Sequence, residues 1–424
     1  MRYLVSGYYG EGNAGDEAVL AGILQEVGRR DPEARFSVLS FDPADTERRH
    51  SAVSIDLAVV STSLRSPARL WAAIKDADLL ISGGGSFLHE ADFELFGRSF
   101  LFRAGKLRPV PYFLSIVFMA RAAGLPVMWY SQGLGPLHTH SARRLVGAAG
   151  SVSQLVTWRD QDSARLAYEV GVRAPVQLVV PDPAYALDSA PAEEGQAELT
   201  RCGLAPGALY LAVCPRPWLG RTAYLTSLGE ALEKVVAALD LEIVLVPFHE
   251  SQDPPVCDIL AARPGFAGRA HSLSPVASPA TLAAVLGGAE LVVAMRLHSG
   301  ILAATAGAPA VTIDYDPKTR AFAAQTRQLP WAVSVDALED RERGTGTGSP
   351  AAADGVASLV WAITDTAFNL EARRAALARA VAPLRAEAGR TARLAVQLAA
   401  RGRLSASGAF GSRVSRRHIF RSDA

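Results

Sequence analysis

The sequence predicts an α/β protein with two Rossmann-like, parallel-sheet domains, and three observations predict it. Short apolar runs alternate with helical patterns in two successive series along the 424 residues, the pattern of parallel sheets covered on both faces. A polar stretch at 188–206 (DSAPAEEGQAELTRCGLAP) separates the two series. Glycine clusters and basic residues fall where apolar runs end, and open α/β sheets bind their ligands at the carboxyl ends of the strands.

In the first series the strand-like runs are 3–6, 36–40, 55–60, 79–82, 127–131, 155–158 and 176–180. Helical patterns at 16–29, 70–77 and 163–170 lie between them. The second series places strands near 209–214, 242–246, 291–294 and 310–313. Its helices fall at 225–239, 279–286, 300–307 and 318–326. GTGTGSP at 344–350 reads as a flexible loop, and amphipathic helices follow at 355–366 and 370–401. The polar, Arg-rich end at 402–424 reads as disordered. The expected domains are therefore 1–187, a linker at 188–206, 207–340, a loop with terminal helices at 341–401, and the tail at 402–424. Two facing domains with a cleft between them, and C-terminal helices crossing back, describe a GT-B-like architecture whose cleft holds the chemistry.

Composition narrows the function. A net charge of +1 gives no polybasic character, so nucleic acid is not an expected partner. Nothing at the N-terminus reads as a signal peptide, and the three cysteines, Cys202, Cys214 and Cys257, form neither a metal spacing nor an even framework. A reducing cytoplasm is the expected location. The apolar stretch at 110–130 is interrupted by Arg121, Gly124 and Pro126 and does not read as a membrane span. Arg98, Arg103, Lys106 and Arg108 flank it, so 100–121 reads either as an element resting on an anionic membrane surface or as a core helix with a basic edge.

Three strand ends of the first domain are rich in glycine. Gly10, Gly12 and Gly15 satisfy a G-x-G-x-x-G pattern, but it starts about three residues too late after the strand, and Asp42 lies too far along to hold a ribose. The loop reads instead as backbone approaching a ligand, with Asn13 and Asp16 near a helix N-terminus, where Asp16 alternatively caps the helix. Ser82-Gly83-Gly84-Gly85-Ser86 and Ser131-Gln132-Gly133-Leu134-Gly135 repeat the theme. Together the three loops form a rim suited to a sugar acceptor, touching Asn13, Gly15, Asp16, Gly84, Gly85, Gln132 and Gly133. Arg159, at the next strand end, points to the cleft or pairs with Asp160 on the surface, where such a pair contributes little.

The second domain carries the cations. Arg216 is held between two prolines in Cys214-Pro215-Arg216-Pro217-Trp218, and Lys318, one of four lysines, opens a helix after Asp314-Tyr315-Asp316-Pro317. Arg296-Leu297-His298-Ser299-Gly300 joins a strand to a helix whose N-terminus suits an anion. Guanidinium groups bind phosphate or carboxylate bidentately, and an imidazole beside them titrates in the physiological range.

In this order, GYYGEGNAGDEAVL, ISGGGSF, YSQGLGP, WRDQDS, CPRPW, MRLHSG and DYDPK resemble the motifs of the polysaccharide pyruvyl transferases. The likeness covers roughly residues 3 to 335 and is greatest to the CsaB-like branch, which modifies cell-wall polysaccharide for surface-layer protein attachment. The resemblance implies a GT-B-like fold and transfer of a pyruvyl group from phosphoenolpyruvate to a sugar, closing a cyclic ketal and releasing phosphate. Its matching basic positions are Arg159, Arg216, Arg296, His298 and Lys318. WRDQDS departs from the pattern by placing Trp158 where a smaller apolar residue is expected, and the chain from 336 onward lies outside the likeness.

On this reading His298, Lys318 and Arg159 are catalytic. Arg216, Arg296, Ser299 and Gly300 bind phosphoenolpyruvate, and Asp16 or Asp314 is a candidate base for the acceptor hydroxyl. No metal and no cofactor beyond the donor substrate are expected. The resemblance implies an N-acetylmannosamine-like acceptor on a lipid carrier, met by a cytoplasmic enzyme at the inner face of the cell membrane. The competing expectations are a nucleotide-sugar-dependent GT-B glycosyltransferase or epimerase, and a non-catalytic carbohydrate-binding protein.

Overall fold

Two parallel sheets with one strand order organise the chain. The computed structural model describes residues 1–50, 56–61, 67–90, 102–103, 106–276, 278–339 and 354–406. The first sheet is built from β1 (Arg2–Ser6), β2 (Arg35–Ser40), β3 (Asp56–Ser61), β4 (Leu79–Leu88), β7 (Val127–Leu134), β8 (Leu155–Trp158) and β9 (Gln177–Val179). A short antiparallel pair, β5 (Phe102–Arg103) and β6 (Lys106–Leu107), stands apart from it. The second sheet comprises β10 (Tyr210–Cys214), β11 (Glu242–Leu245), β12 (Ala270–Ser272), β13 (Leu291–Ala294), β14 (Ala310–Asp314) and β15 (Val333–Ser334). The spatial orders are β3-β2-β1-β4-β7-β8-β9 and β12-β11-β10-β13-β14-β15. In both, the winding direction reverses once, between β1 and β4 and between β10 and β13. A crevice opens at such a reversal, outside the strand carboxyl ends.

The strands are apolar because both faces of each sheet are covered. In the second sheet Leu211, Val213, Ile243, Leu291, Val293, Val311 and Ile313 share one core. Leu228, Leu232 and Val235 of the helix Ala223–Leu239, with Leu359 and Ile363 of the helix Gly355–Phe368, complete it. The first sheet packs Leu4, Leu80, Val127, Trp129 and Val156 against Phe113, Ile116 and Val117 of the helix Pro109–Ala122. Trp158 fits there because it meets Trp129 edge-on, with ring centroids 5.6 Å apart.

The chain divides into two compact units. One contains Met1–Glu11, Gly22–Pro183 and the chain from Ala386 onward; the other contains Gly12–Ala21 and Ala184–Arg385. This differs from a first domain of 1–187 in one functionally important respect: the start of the helix Ala14–Arg30, with the loop before it, groups with the second unit.

Three expectations need correction, and one pair of alternatives is decided. The supposed linker at 188–206 contains the helix Ala192–Arg201, whose Gly195 and Leu199 are buried. That helix packs on Pro279–Gly287, where the Thr281 hydroxyl donates to Glu194 at 2.8 Å. The segment 83–86 and residues 132–133 are not loops: they extend β4 and β7. The short strands β12 and β15 carry little apolar pattern and are absent from the sequence reading. Of the two readings of 100–121, the helix Pro109–Ala122 fits the core helix with a basic edge, with Val110, Phe113, Leu114, Ile116 and Val117 buried.

The C-terminal helix runs on to Ala406, so 402–406 continue it. The rest of the tail, the 344–350 loop, Arg98, and the side chains of Arg103 and Lys106 lie outside the described residues. Among the described residues no helix is long and apolar enough to cross a membrane.

Candidate active site

Strand register places the cations. Cys214 pairs with Ala294, and Ala294 with Thr312. Arg216, Arg296 and Asp314 therefore each stand two residues further along three adjacent strands, which run about 4.8 Å apart. His298 follows in the first turn of the helix Leu297–Thr305, and Lys318 in that of Pro317–Gln325. The structure thus brings Arg216, Arg296 and His298 to the point where the second sheet reverses its winding, with Lys318 at the next strand end.

Arg216 is fixed by aromatic groups. Its Nη1 donates to the Tyr315 hydroxyl at 2.8 Å, and its guanidinium lies 4.8 Å from the Tyr315 ring centroid and 5.7 Å from that of Trp218. Contacts of this kind are worth roughly 0.5–2 kcal/mol. They hold a planar fork in one orientation at the end of β10. The Tyr224 hydroxyl donates to the Arg216 carbonyl and anchors the same segment from the core side.

Arg296 is engaged differently from the expectation. Its Nε and Nη2 donate to the two carboxylate oxygens of Asp253 at 2.7 and 2.5 Å, and Asp253 is fully buried. One edge of the fork is therefore a structural clamp, and Nη1 lies outside that pair. Asp253 is the N-cap residue of the helix Pro254–Ala261, yet it makes no side-chain cap. It accepts instead from the backbone N–H groups of Phe248 and His249, each at 2.9 Å.

Ser299 and Gly300 do not fit as donor-binding residues. The buried Ser299 hydroxyl donates to the Arg296 carbonyl at 2.6 Å, closing the helix start on itself. Gly300 lacks a side chain for packing: a Cβ there would lie 2.5 Å from the Phe322 ring. Lys318 is partly exposed, with its Nζ 3.4 Å from Asp316. Asp316 also caps that helix by accepting from the Lys318 N–H at 2.9 Å. Asp314 is a poor base, since its oxygens accept from the Thr319 hydroxyl at 3.0 Å and from Arg320 at 3.2 Å.

The expected acceptor set falls into two groups. Asn13, Gly15 and Asp16 belong to the second unit. The Asn13 amide donates to Asp16 at 2.7 Å, and its oxygen accepts from the Gly15 N–H at 3.1 Å. Gly15 lies against the imidazole of His298: a Cβ at position 15 would stand 2.4 Å from His298 Nδ1. Only glycine lets the loop wall the ring so closely. Gly84, Gly85, Gln132 and Gly133 belong to the first unit and are buried in β4 and β7, so they form no exposed rim of loops. The Gln132 amide donates to the carbonyls of Gly85 and Gly133 at 3.1 and 2.8 Å. Arg159 joins this group. It is buried, donates to the Ser86 hydroxyl at 2.5 Å, and lies 3.5 Å from Asp182 and 3.7 Å from Asp160. Asp160 itself caps the next helix.

Asp253, His249 and Tyr315 have no role in the sequence reading. His249 was legible by the strand-end rule, since Pro247-Phe248-His249-Glu250 follows β11 after one residue, Val246. Asp253 was not, because it looks like an ordinary helix cap. Burial, and then the Arg296 charge, lower the His249 pKa. Burial pushes the Cys257 thiol up to about 12 and the Cys214 thiol higher still, so both are packing groups. Among the described residues no three His, Cys, Asp or Glu side chains are grouped to hold a metal ion.

No curated protein sequence matches the chain. Solved structures do. The Anabaena Alr3699/HepE protein in complex with UDP-glucose is 14% identical and covers 96% of this chain and 100% of its own, with a TM-score of 0.53. The UDP-GlcNAc 2-epimerase of Neisseria meningitidis bound to UDP-GlcNAc is 11% identical, with coverages of 95% and 100% and a TM-score of 0.58. A putative UDP-N-acetylglucosamine 2-epimerase from Listeria monocytogenes is 12% identical, with coverages of 96% and 97% and a TM-score of 0.59. At these identities the likeness shows the fold alone, that of GT-B-type glycosyltransferases and epimerases. The polysaccharide pyruvyl transferase family matches residues 13–317, from the loop beside His298 to the turn before Lys318, and the chain belongs to that family.

Proposed function

We propose that this transferase moves the pyruvyl group of phosphoenolpyruvate onto two hydroxyls of a sugar, forms a cyclic ketal and releases phosphate. The supporting observation is the cationic set at the winding reversal of the second sheet, where Arg216 and Arg296 follow neighbouring strand ends, His298 sits in the helix turn after Arg296, and Lys318 in the turn after the next strand. Phosphoenolpyruvate presents a phosphate, a carboxylate and an enol carbon that must gain a proton. Arg216 and the Nη1 side of Arg296 suit the two anionic groups, each charge-assisted hydrogen bond being worth roughly 1.5–3 kcal/mol. His298 protonates the enol carbon, and the sugar hydroxyl adds to the cationic centre this creates. Lys318 balances the charge of the leaving phosphate.

The narrower reading rests on the CsaB-like motifs. It takes the acceptor to be an N-acetylmannosamine-type sugar of a cell-wall polysaccharide precursor on a lipid carrier, in support of surface-layer attachment. It sets the enzyme at the cytoplasmic face of the membrane. Co-sedimentation with anionic liposomes at low salt is the expected result; a protein that stays wholly in the supernatant overturns the membrane placement.

The transfer itself is tested by adding phosphoenolpyruvate and an N-acetylmannosamine-terminated acceptor to the purified protein. Acceptor-dependent release of phosphate, one equivalent per ketal formed, is expected. The Anabaena and Neisseria neighbours are complexes with UDP-glucose and UDP-GlcNAc. Tight calorimetric binding of a nucleoside diphosphate sugar, with none of phosphoenolpyruvate, would replace this reading by a nucleotide-sugar enzyme. Binding of sugar without phosphate release would leave only a carbohydrate-binding protein.

A further inference from the structure

Two histidines bracket one short loop. Asn13 and His249 form an antiparallel bridge. The Ala14 N–H donates to the Phe248 carbonyl at 2.8 Å, and the Glu250 N–H to the Gly12 carbonyl at 2.9 Å. The segment 248–250 is thereby stitched to 12–14, and two residues after Asn13 the first turn of the helix Ala14–Arg30 packs on His298 at Gly15. The backbone of His249 is in turn tied through Asp253 to Arg296. From this juxtaposition we infer that His249 is the base that takes the proton from the attacking sugar hydroxyl, across the loop from His298. The inference rests on the transferase reading above and deepens it.

The other candidate bases are engaged. Both oxygens of Asp314 accept hydrogen bonds within their own strand–helix turn. Asp16 accepts from Asn13. The ring of His249 is partly exposed, and its Nε2 stands 3.1 Å from the amide nitrogen of Gln252, an exposed side chain. That amide nitrogen is a donor, so the ring nitrogen is set to accept, as it would from a hydroxyl that displaces Gln252. The charged groups acting on the ring are Arg296 and Arg216, which favour its neutral form, and Asp253 and Glu250, which oppose them. Burial and Arg296 prevail and lower its pKa, so the ring is a free base at neutral pH.

The protons balance. His298 gives one to the methylene carbon of phosphoenolpyruvate, which becomes the methyl group. The first hydroxyl oxygen bonds to the adjacent carbon as its proton passes to His249. The bond from that carbon to the phosphate oxygen breaks, and the electron pair leaves with phosphate. The second hydroxyl closes the ketal. Of the two hydroxyl protons released, one restores His298 and the other departs on hydrogen phosphate.

The test is His249→Gln in the full chain. The ring hydrogen-bonds to the N–H and hydroxyl of Ser251 and the amide of Gln252, both exposed residues, while the loop is held by the Phe248 and His249 N–H groups donating to Asp253. Native thermal stability is therefore expected. The expected kinetic result is a fall in kcat of at least about 100-fold. The calorimetric Kd for phosphoenolpyruvate should change less than about threefold, and the acidic limb of the kcat pH profile should disappear. Added imidazole should restore part of the rate to His249→Ala. A variant with kcat within about threefold of native and the acidic limb intact overturns the assignment. Absence of phosphate release by the native enzyme is a different result, and it overturns the transferase reading itself.

Discussion

Replacing His298 with alanine is expected to lower the rate of pyruvyl transfer by about 10²–10⁴-fold, the usual contribution of a positioned general acid. Affinity for phosphoenolpyruvate should change far less, because the proposed mechanism assigns its anionic groups to the two arginines. The helix Leu297–Thr305 is held by its buried residues Leu297, Ile301, Leu302 and Ala303, so the fold should survive. Steady-state phosphate release, with calorimetric binding of phosphoenolpyruvate to the same variant, separates the two effects. Near-native turnover by His298→Ala would remove this residue from the chemistry. An equal loss of binding and turnover would move it to the donor clamp.

Asp253→Ala should give the largest loss of stability of any single change at this site. Its carboxylate is fully buried and accepts four hydrogen bonds, two from the Arg296 fork and two from the backbone of Phe248 and His249. Removing it leaves a partly buried guanidinium and two N–H groups without their acceptor. Breaking one side of a buried ion pair costs about 3–5 kcal/mol. Urea unfolding should show that loss, and the affinity of any folded fraction for phosphoenolpyruvate should fall because Arg296 is no longer held. Asp253→Asn should recover little, since its amide turns a donor toward the guanidinium. A loss below about 1 kcal/mol, the size of an ordinary surface change, would show that the clamp is not structural.

The fold was readable from the sequence because strand ends, glycines and basic residues coincide. Apolar runs at 155–158 and 291–294 match β8 and β13 residue for residue. What escaped has physical reasons. β4 runs on through three glycines to Leu88, and glycine is an ordinary signal for a strand end. β12 and β15 are three and two residues long and take their place from neighbouring strands. The helix Ala192–Arg201 shows the solvent so many charges that its buried Gly195 and Leu199 do not stand out. At the site, the cationic positions Arg216, Arg296 and His298 were legible from strand ends. The Asp253–Arg296 pair was not, because it joins residues 43 positions apart and no local pattern announces it. Ser299 and Gly300 misled for the opposite reason. A hydroxyl and a glycine at a helix start look ligand-facing, and here both serve the packing of the turn.

The repeated strand order has an evolutionary consequence. Each sheet is its own hydrogen-bonding ladder, with no strand shared between them among the described residues. A substitution that shifts the register of β4 or β7 leaves the pairing of β10 with β13 untouched. Selection can therefore retune one half of the chain, even by inserting or deleting residues after β4, while the guanidinium and imidazole groups on the other ladder are inherited unchanged.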